Sequence, residues 1–210
     1  MNAKDHMVSR GFRFLERVGS RDIVFSGISG SVSYNPHDND DIDIFLITKN
    51  RRLWTTLLRA FIIRILNGDR KICISLVMDE SFAWSFFSQS GDYLLASDSV
   101  HVIPYRGGEY YQSLLNNSPF VRRYFPDEVS NGYFPNENDG RSGRLSVEPL
   151  VFLLLSVWVI LKSMFNNHRY LKENRLAELF ATVVSMHSFY FDSEKYHEMR
   201  NMVPEGVADE

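Results

Sequence analysis

The stretch Asp38-Asn39-Asp40-Asp41-Ile42-Asp43-Ile44-Phe45-Leu46-Ile47-Thr48 carries four aspartates directly into an apolar segment. Side chains alternate along a strand, so Asp41 and Asp43 share one face while Ile42 and Ile44 take the opposite, core face. Two carboxylates about 6–7 Å apart repel by roughly 2.5 kcal/mol at an effective dielectric near 20. Asp38 and Asp40 add to that field. Solvation, a basic partner or a cation must offset it. Mg²⁺ suits the position, being a hard ion that takes one or two carboxylates together with phosphate oxygens.

Upstream, Asp22-Ile23-Val24-Phe25-Ser26 reads as a short strand that runs into Gly27-Ile28-Ser29-Gly30-Ser31. Gly30 permits a positive φ and a close approach of backbone to a ligand. Ser31 can start a helix and offer its hydroxyl to a phosphate. One segment therefore supplies a phosphate cradle, with Gly30 and Ser31 as nucleotide-binding residues. The next supplies a metal holder, with Asp41 and Asp43 as its ligands.

Simpler readings compete with this one. An acidic, Asn-containing loop before a strand is commonly a solvated turn. An EF-hand is excluded, because the required Gly and final Glu do not fall in place from Asp38 or Asn39. No Gly-x-x-x-x-Gly-Lys-Ser/Thr occurs, so there is no P-loop. Asp-x-Asp also serves metal-bound sugar nucleotides, without any need for a preceding Gly-Ser turn.

The ordered set of strand, Gly30-Ser31 and Asp41-Ile42-Asp43 resembles the signature of the polymerase-β-type nucleotidyltransferase superfamily. Asp40 to Lys49, Arg52-Leu53-Trp54 and Lys71-Ile72-Cys73-Ile74-Ser75-Leu76 are similar to a group of small prokaryotic nucleotidyltransferase-domain proteins, and Pro104-Tyr105-Arg106-Gly107 fits loosely. The resemblance covers about residues 20–110. It implies an α+β fold, with a mixed β-sheet, flanking helices and a helical C-terminal half. It implies Mg²⁺ as cofactor, and catalysis by Asp41 and Asp43 of nucleoside monophosphate transfer from an NTP to an acceptor. That acceptor is a small molecule, protein or RNA.

One departure stands out. Such enzymes carry a third carboxylate on a later strand, and the corresponding segment here, Lys71 to Met78, has none. Asp79 and Glu80, at its end, are the candidates to substitute. A non-catalytic nucleotide-binding, regulatory or antitoxin-like protein on the same fold is therefore the alternative.

Composition narrows the classes. The chain has 210 residues and is 44% hydrophobic, enough for an ordinary core and too apolar for disorder. A net charge of −3 gives no general DNA-binding face. The single cysteine, Cys73, excludes intrachain disulfides and suits the reducing cytoplasm. Met1 to Arg10 is polar, without the apolar core of an export signal. The apolar run Leu150 to Leu161 is short for a spanning helix, which needs about 20 residues. It reads as a helix buried on most sides, and no membrane partner is expected.

The organisation follows from periodicity. We expect a nucleotidyltransferase-like core over 1–105, and a helical extension over 106–210 packed on it, with 126–143 a loop. Helices are expected at 3–18, 51–67 (capped by Asn50), 81–89, 91–97, 109–117, 119–124, 147–165, 170–187 and 192–202. Strands are expected at 22–27, 41–48, 71–78 and 100–104.

Overall fold

The structure, a computed structural model, describes residues 3–34, 36–37, 40–129, 147–176 and 179–193. It is an α+β fold built on one mixed, open sheet of six strands. In chain order these are β1 (Ile23–Ser29), β2 (Ile42–Thr48), β3 (Ile72–Asp79), β4 (Ile103–Arg106), β5 (Phe180–Val184) and β6 (Ser188–Ser193). Their spatial order is β4-β1-β2-β3-β6-β5. Among the described strands only β2 and β3 pair in parallel.

A parallel pair needs a crossover, and helix α3 (Leu53–Leu66) supplies it. The other helices are α1 (Ala3–Val18), α2 (Ser31–Tyr34), α4 (Glu80–Phe87), α5 (Tyr93–Val100), α6 (Gly108–Asn117), α7 (Pro119–Tyr124) and α8 (Glu148–Lys172).

Both faces of the sheet are covered, which is why β2 is apolar at nearly every position. Ile42, Ile44 and Leu46 face a core shared with α1, α3 and α8. Phe45 and Ile47 face a second core built with α4, α6 and α7. Phe25 and Tyr111 stack there with ring centroids 4.3 Å apart.

Helix starts are secured from a distance. Asn50 does not cap α3, whose cap residue is Arg52 without a side-chain bond. The Asn50 Oδ1 accepts instead from the Ser81 amide, in the first turn of α4. Glu148 takes over at α3: its buried carboxylate accepts from the Trp54 amide and, at 3.1 Å, from the Thr55 amide. Helix α8 is thereby tied to α3 by its first residue.

The C-terminal reading needs correction. Among the described residues the chain forms no α-helix between Lys172 and 187. Phe180–Val184 and Ser188–Ser193 are a hairpin that extends the main sheet through β3. Phe180, Val183, Phe189 and Phe191 carry β-branched and aromatic side chains suited to a pleated surface. Asp192 and Ser193 close β6, and the remainder of the expected helix at 192–202 lies outside the described residues. So does most of the expected loop, of which Pro126–Glu128 is a single 3₁₀ turn.

Helix α8 also differs. It extends to 25 residues and is long and apolar enough to cross a membrane. It is not buried on most sides. One face, with Leu155 and Val159, joins the core, while Leu154, Leu161 and Phe165 stand in solvent.

Candidate functional site

Strand register brings the predicted residues together. On one side of β2, Asp43 pairs with Ser29 of β1. On the other side it pairs with Cys73 of β3. Immediately after Ser29 the chain turns at Gly30, whose φ is 68°. A Cβ built on Gly30 would collide with the Asp43 carboxylate. Gly30 is thus required twice, by its left-handed backbone and by the group it covers.

The Gly30 carbonyl accepts from the Ser33 amide at 3.0 Å and from the Ser33 hydroxyl at 2.6 Å, which locks the turn into α2. Ser31 opens α2 with its side chain exposed. Gly30→Ala should therefore displace Asp43 and strain the turn by ~1–2 kcal/mol, and, on the expectation of a nucleotide site drawn from the sequence, weaken Mg²⁺·nucleotide affinity at least about tenfold. Titration calorimetry with Mg²⁺·ATP checks the affinity, and urea unfolding the strain.

Asp43 is held in an acidic, desolvated environment. Burial pushes its carboxyl up to about 7, against hydrogen bonds from Cys73 and Ser75 that lower it; the Asp41 and Asp40 charges add to the rise. Asp41, at the mouth of the site, is also raised by burial, opposed by the Lys71 and Arg64 charges. Burial and the two carboxylates push the Cys73 thiol well above its ordinary range. It acts here as a protonated donor rather than as a thiolate ligand.

Asp40 closes the preceding loop. Its amide donates to the His37 carbonyl and its Oδ2 accepts from the His37 amide. It enriches the field without joining the pair. Asp38 lies outside the described residues.

No third carboxylate stands on β3 beside this pair; Asp98 of α5 lines the same cavity, its carboxyl raised by burial and its Oδ1 accepting from the Tyr34 hydroxyl at 2.7 Å. Asp79 is at the far end of β3, opposite Thr48, six residues beyond the Cys73 that pairs with Asp43. At about 3.3 Å per residue that is roughly 20 Å. Asp79 is buried and engaged elsewhere. Its Oδ1 accepts from the Phe82 amide at 2.9 Å and the Ser81 hydroxyl at 2.8 Å, capping α4. Its Oδ2 lies 2.6 Å from Nδ1 of His187, on the β5–β6 hairpin.

Glu80 follows Asp79 at the same end of the sheet, where Asn50 and Lys49 influence it. Neither acid reaches Asp41 or Asp43. Cys73 and Ser75 occupy the β3 positions beside Asp43. Among the described residues no group of three or more His, Cys, Asp or Glu side chains gathers into a metal cluster. Asp79→Ala should cost roughly 2–4 kcal/mol through the lost cap and hairpin contact, with Mg²⁺·nucleotide affinity unchanged. Chemical denaturation and calorimetry on the one variant measure both.

The pair opens onto a cavity of about 910 Å³ whose lining includes Ser29, Gly30, Asp41, Asp43, Cys73 and Ser75. Its volume is adequate for a nucleotide. Two basic residues also line it, Arg64 at the end of α3 and Lys162 of α8. Burial and the Arg64 charge lower Lys162 from its ordinary range. Sequence reasoning missed both. Their signal was a lone charge interrupting an apolar helix.

The basic residues singled out instead, Lys49, Arg51 and Arg52, follow β2 at its distant end. There the Arg52 Nε stands 3.9 Å from Asp22. Lys71, which opens the β3 segment, does face the site: its charge acts on Asp41, and its Nζ donates to the Asp40 carbonyl at 3.4 Å.

The residues fit a hard divalent cation. The donors are carboxylate oxygens, and among the described residues no basic side chain forms an ion pair with Asp43. Burial is the main cause of the raised Asp43 carboxyl, and the neighbouring Asp41 and Asp40 charges add to it. No protein-family model, curated protein or solved structure matches this chain.

Proposed function

We propose that the chain is a Mg²⁺-dependent nucleotidyltransferase of the polymerase-β type, which transfers a nucleoside monophosphate from an NTP to an acceptor. The observation that carries this reading is the Gly30 turn packed on Asp43, with Asp41 beside it at the mouth of a nucleotide-sized cavity. Asp41 and Asp43 would hold the ion, which when bound supplies charge neutralisation along the triphosphate. Gly30, in the cavity lining, and Ser31, exposed at the start of α2, would receive the phosphate tail; Arg64 and Lys162 would add positive charge from the lining, and Lys71 from beside Asp41. The single cysteine, Cys73, is what supports reading a reducing, cytoplasmic setting.

A second reading has its own support. Cys73 and Ser75 stand where a third carboxylate would accept the acceptor's proton, and neither is an effective general base. On this reading the protein binds Mg²⁺·NTP without turnover and acts as a regulatory or antitoxin-like component.

A thermal-shift screen of the four NTPs, with and without Mg²⁺, tests the shared claim. At least one should stabilise the wild type only when Mg²⁺ is present, and should leave Asp41→Asn/Asp43→Asn unmoved. Failure of every NTP sinks both readings. Pyrophosphate release on incubation with candidate acceptors then separates them: release supports transfer, and binding without release supports the non-catalytic protein.

A further inference from the structure

The outer face of α8 carries a seam that the described residues leave uncovered. Leu150, Leu154, Val157, Leu161, Met164 and Leu171 follow one another in alternating steps of four and three residues, with exposed His168 completing the pattern between the last two. This is the a/d spacing of a coiled coil, sustained over three heptads. The six apolar positions are between half and two-thirds exposed. Helix α3 runs parallel beside α8, with Trp54 against Phe152 and Phe61 against Trp158, and contributes exposed Ile62, Ile65 and Leu66. From their fractional exposures these nine apolar residues together present on the order of 1,000 Å² of surface. That exceeds the roughly 300–600 Å² of an ordinary monomer's largest patch and meets the ~800 Å² each partner gives to a standard interface.

We propose that this seam is a homodimer interface, in which α8 packs antiparallel against α8 of a second copy. A two-fold pair buries the same seam on both chains, so one self-complementary surface suffices. The charges select the antiparallel arrangement. His168, Arg169 and Lys172 in the last turns of α8 and Arg175 just past it outnumber the one acid among them, Glu173, which pairs with Arg169 at 3.1 Å and Arg175 at 3.0 Å and leaves this end net positive. A parallel pair would set these groups and the two helix dipoles against their like, whereas an antiparallel pair separates them.

A bilayer fits the observations less well, although α8 is long and apolar enough to cross one. The helix is held to the domain by the bonds from Trp54 and Thr55 to Glu148, and its inner face buries Ser156 and Ser163. Lys162 interrupts it midway, a costly residue at membrane depth. A lipid-facing surface also has no use for a 3.5-residue period.

Sedimentation equilibrium of the full chain at micromolar concentration should give twice the chain mass. Leu154→Glu/Leu161→Glu, at positions exposed in the monomer, should weaken association at least a hundredfold with an unchanged far-UV circular dichroism spectrum. Leu161, near the middle of the seam, meets its own counterpart in the antiparallel pair, whereas Leu150 does not. Under mild oxidation Leu161→Cys should cross-link into a covalent dimer while Leu150→Cys stays uncross-linked, with wild type controlling for Cys73. A monomeric wild type overturns the proposal. Equal cross-linking of both cysteine variants overturns the antiparallel arrangement. Co-sedimentation of a monomeric wild type with phosphatidylcholine/phosphatidylglycerol vesicles, lost in the double Glu variant, assigns the face to lipid instead.

Discussion

Asp43→Asn should unfold several degrees above the wild type at pH 8 without metal, and should bind Mg²⁺·nucleotide at least a hundredfold more weakly. Both effects come from one charge. Burial raises the Asp43 carboxyl to about 7 from an ordinary value near 3.8. A carboxyl raised on folding favours the folded state while it is protonated. Its contribution is complete below about pH 4, is lost as pH rises toward 7, and is absent above that. The full span is at most about 4 kcal/mol, from ~1.4 kcal/mol per pKa unit.

At pH 8 the metal-free wild type therefore bears the whole cost of an ionised, desolvated carboxylate, which the isosteric amide removes. Each kcal/mol regained is worth roughly 2–4 °C in a chain of this size. Mg²⁺ should reverse the ranking by stabilising the wild type alone. Its affinity should climb about tenfold per pH unit up to pH 7 and then level off, since the ion must displace the Asp43 proton. Differential scanning calorimetry from pH 5 to 9, with and without Mg²⁺, measures all of this. An Asn variant that is less stable at pH 8 and still binds nucleotide would refute the assignment.

Glu148→Ala should be the most damaging single change to stability, costing roughly 3–5 kcal/mol. The buried carboxylate closes the first turn of α3 by accepting from the Trp54 and Thr55 amides, because Arg52 offers no side-chain cap. Removing it strands two donors at a buried helix start and forfeits two charge-assisted bonds worth ~1.5–3 kcal/mol each. Against a total stability of about 5–15 kcal/mol this is a large fraction. Urea unfolding should show a lower midpoint, and the melting temperature should fall by about 10 °C. Glu148→Gln, with one acceptor oxygen left for the two amides, should lose about half as much.

The legible part of the fold was local. Short apolar runs marked β1, β2 and β3, with alternation at the Asp41-to-Ile44 start of β2, and helical spacing marked α1 and the crossover α3, because each element buries surface that its own sequence must supply. The β5–β6 hairpin was misread as helix. Its aromatic and β-branched residues find a strand's environment only because β3 offers them an unpaired edge, a partner about a hundred residues away. Asn50 was misread for the same reason: a capping side chain serves whichever amide the fold brings near, and here that is Ser81.

The site divides along the same line. Strand alternation and glycine's backbone freedom are local properties, so the shared face of Asp41 and Asp43 and the turn at Gly30-Ser31 are legible in the residues alone. Their surroundings come from long-range packing. Parallel pairing of β2 with β3 sets Cys73 and Ser75 beside Asp43 and carries Asp79 roughly 20 Å away. Packing of α3 and α8 brings Arg64 and Lys162 to the cavity. Docking of α8 by one face leaves its heptad seam in solvent. Charge, burial and reach depend on neighbours distant in the chain, and the path of the sheet chooses those neighbours.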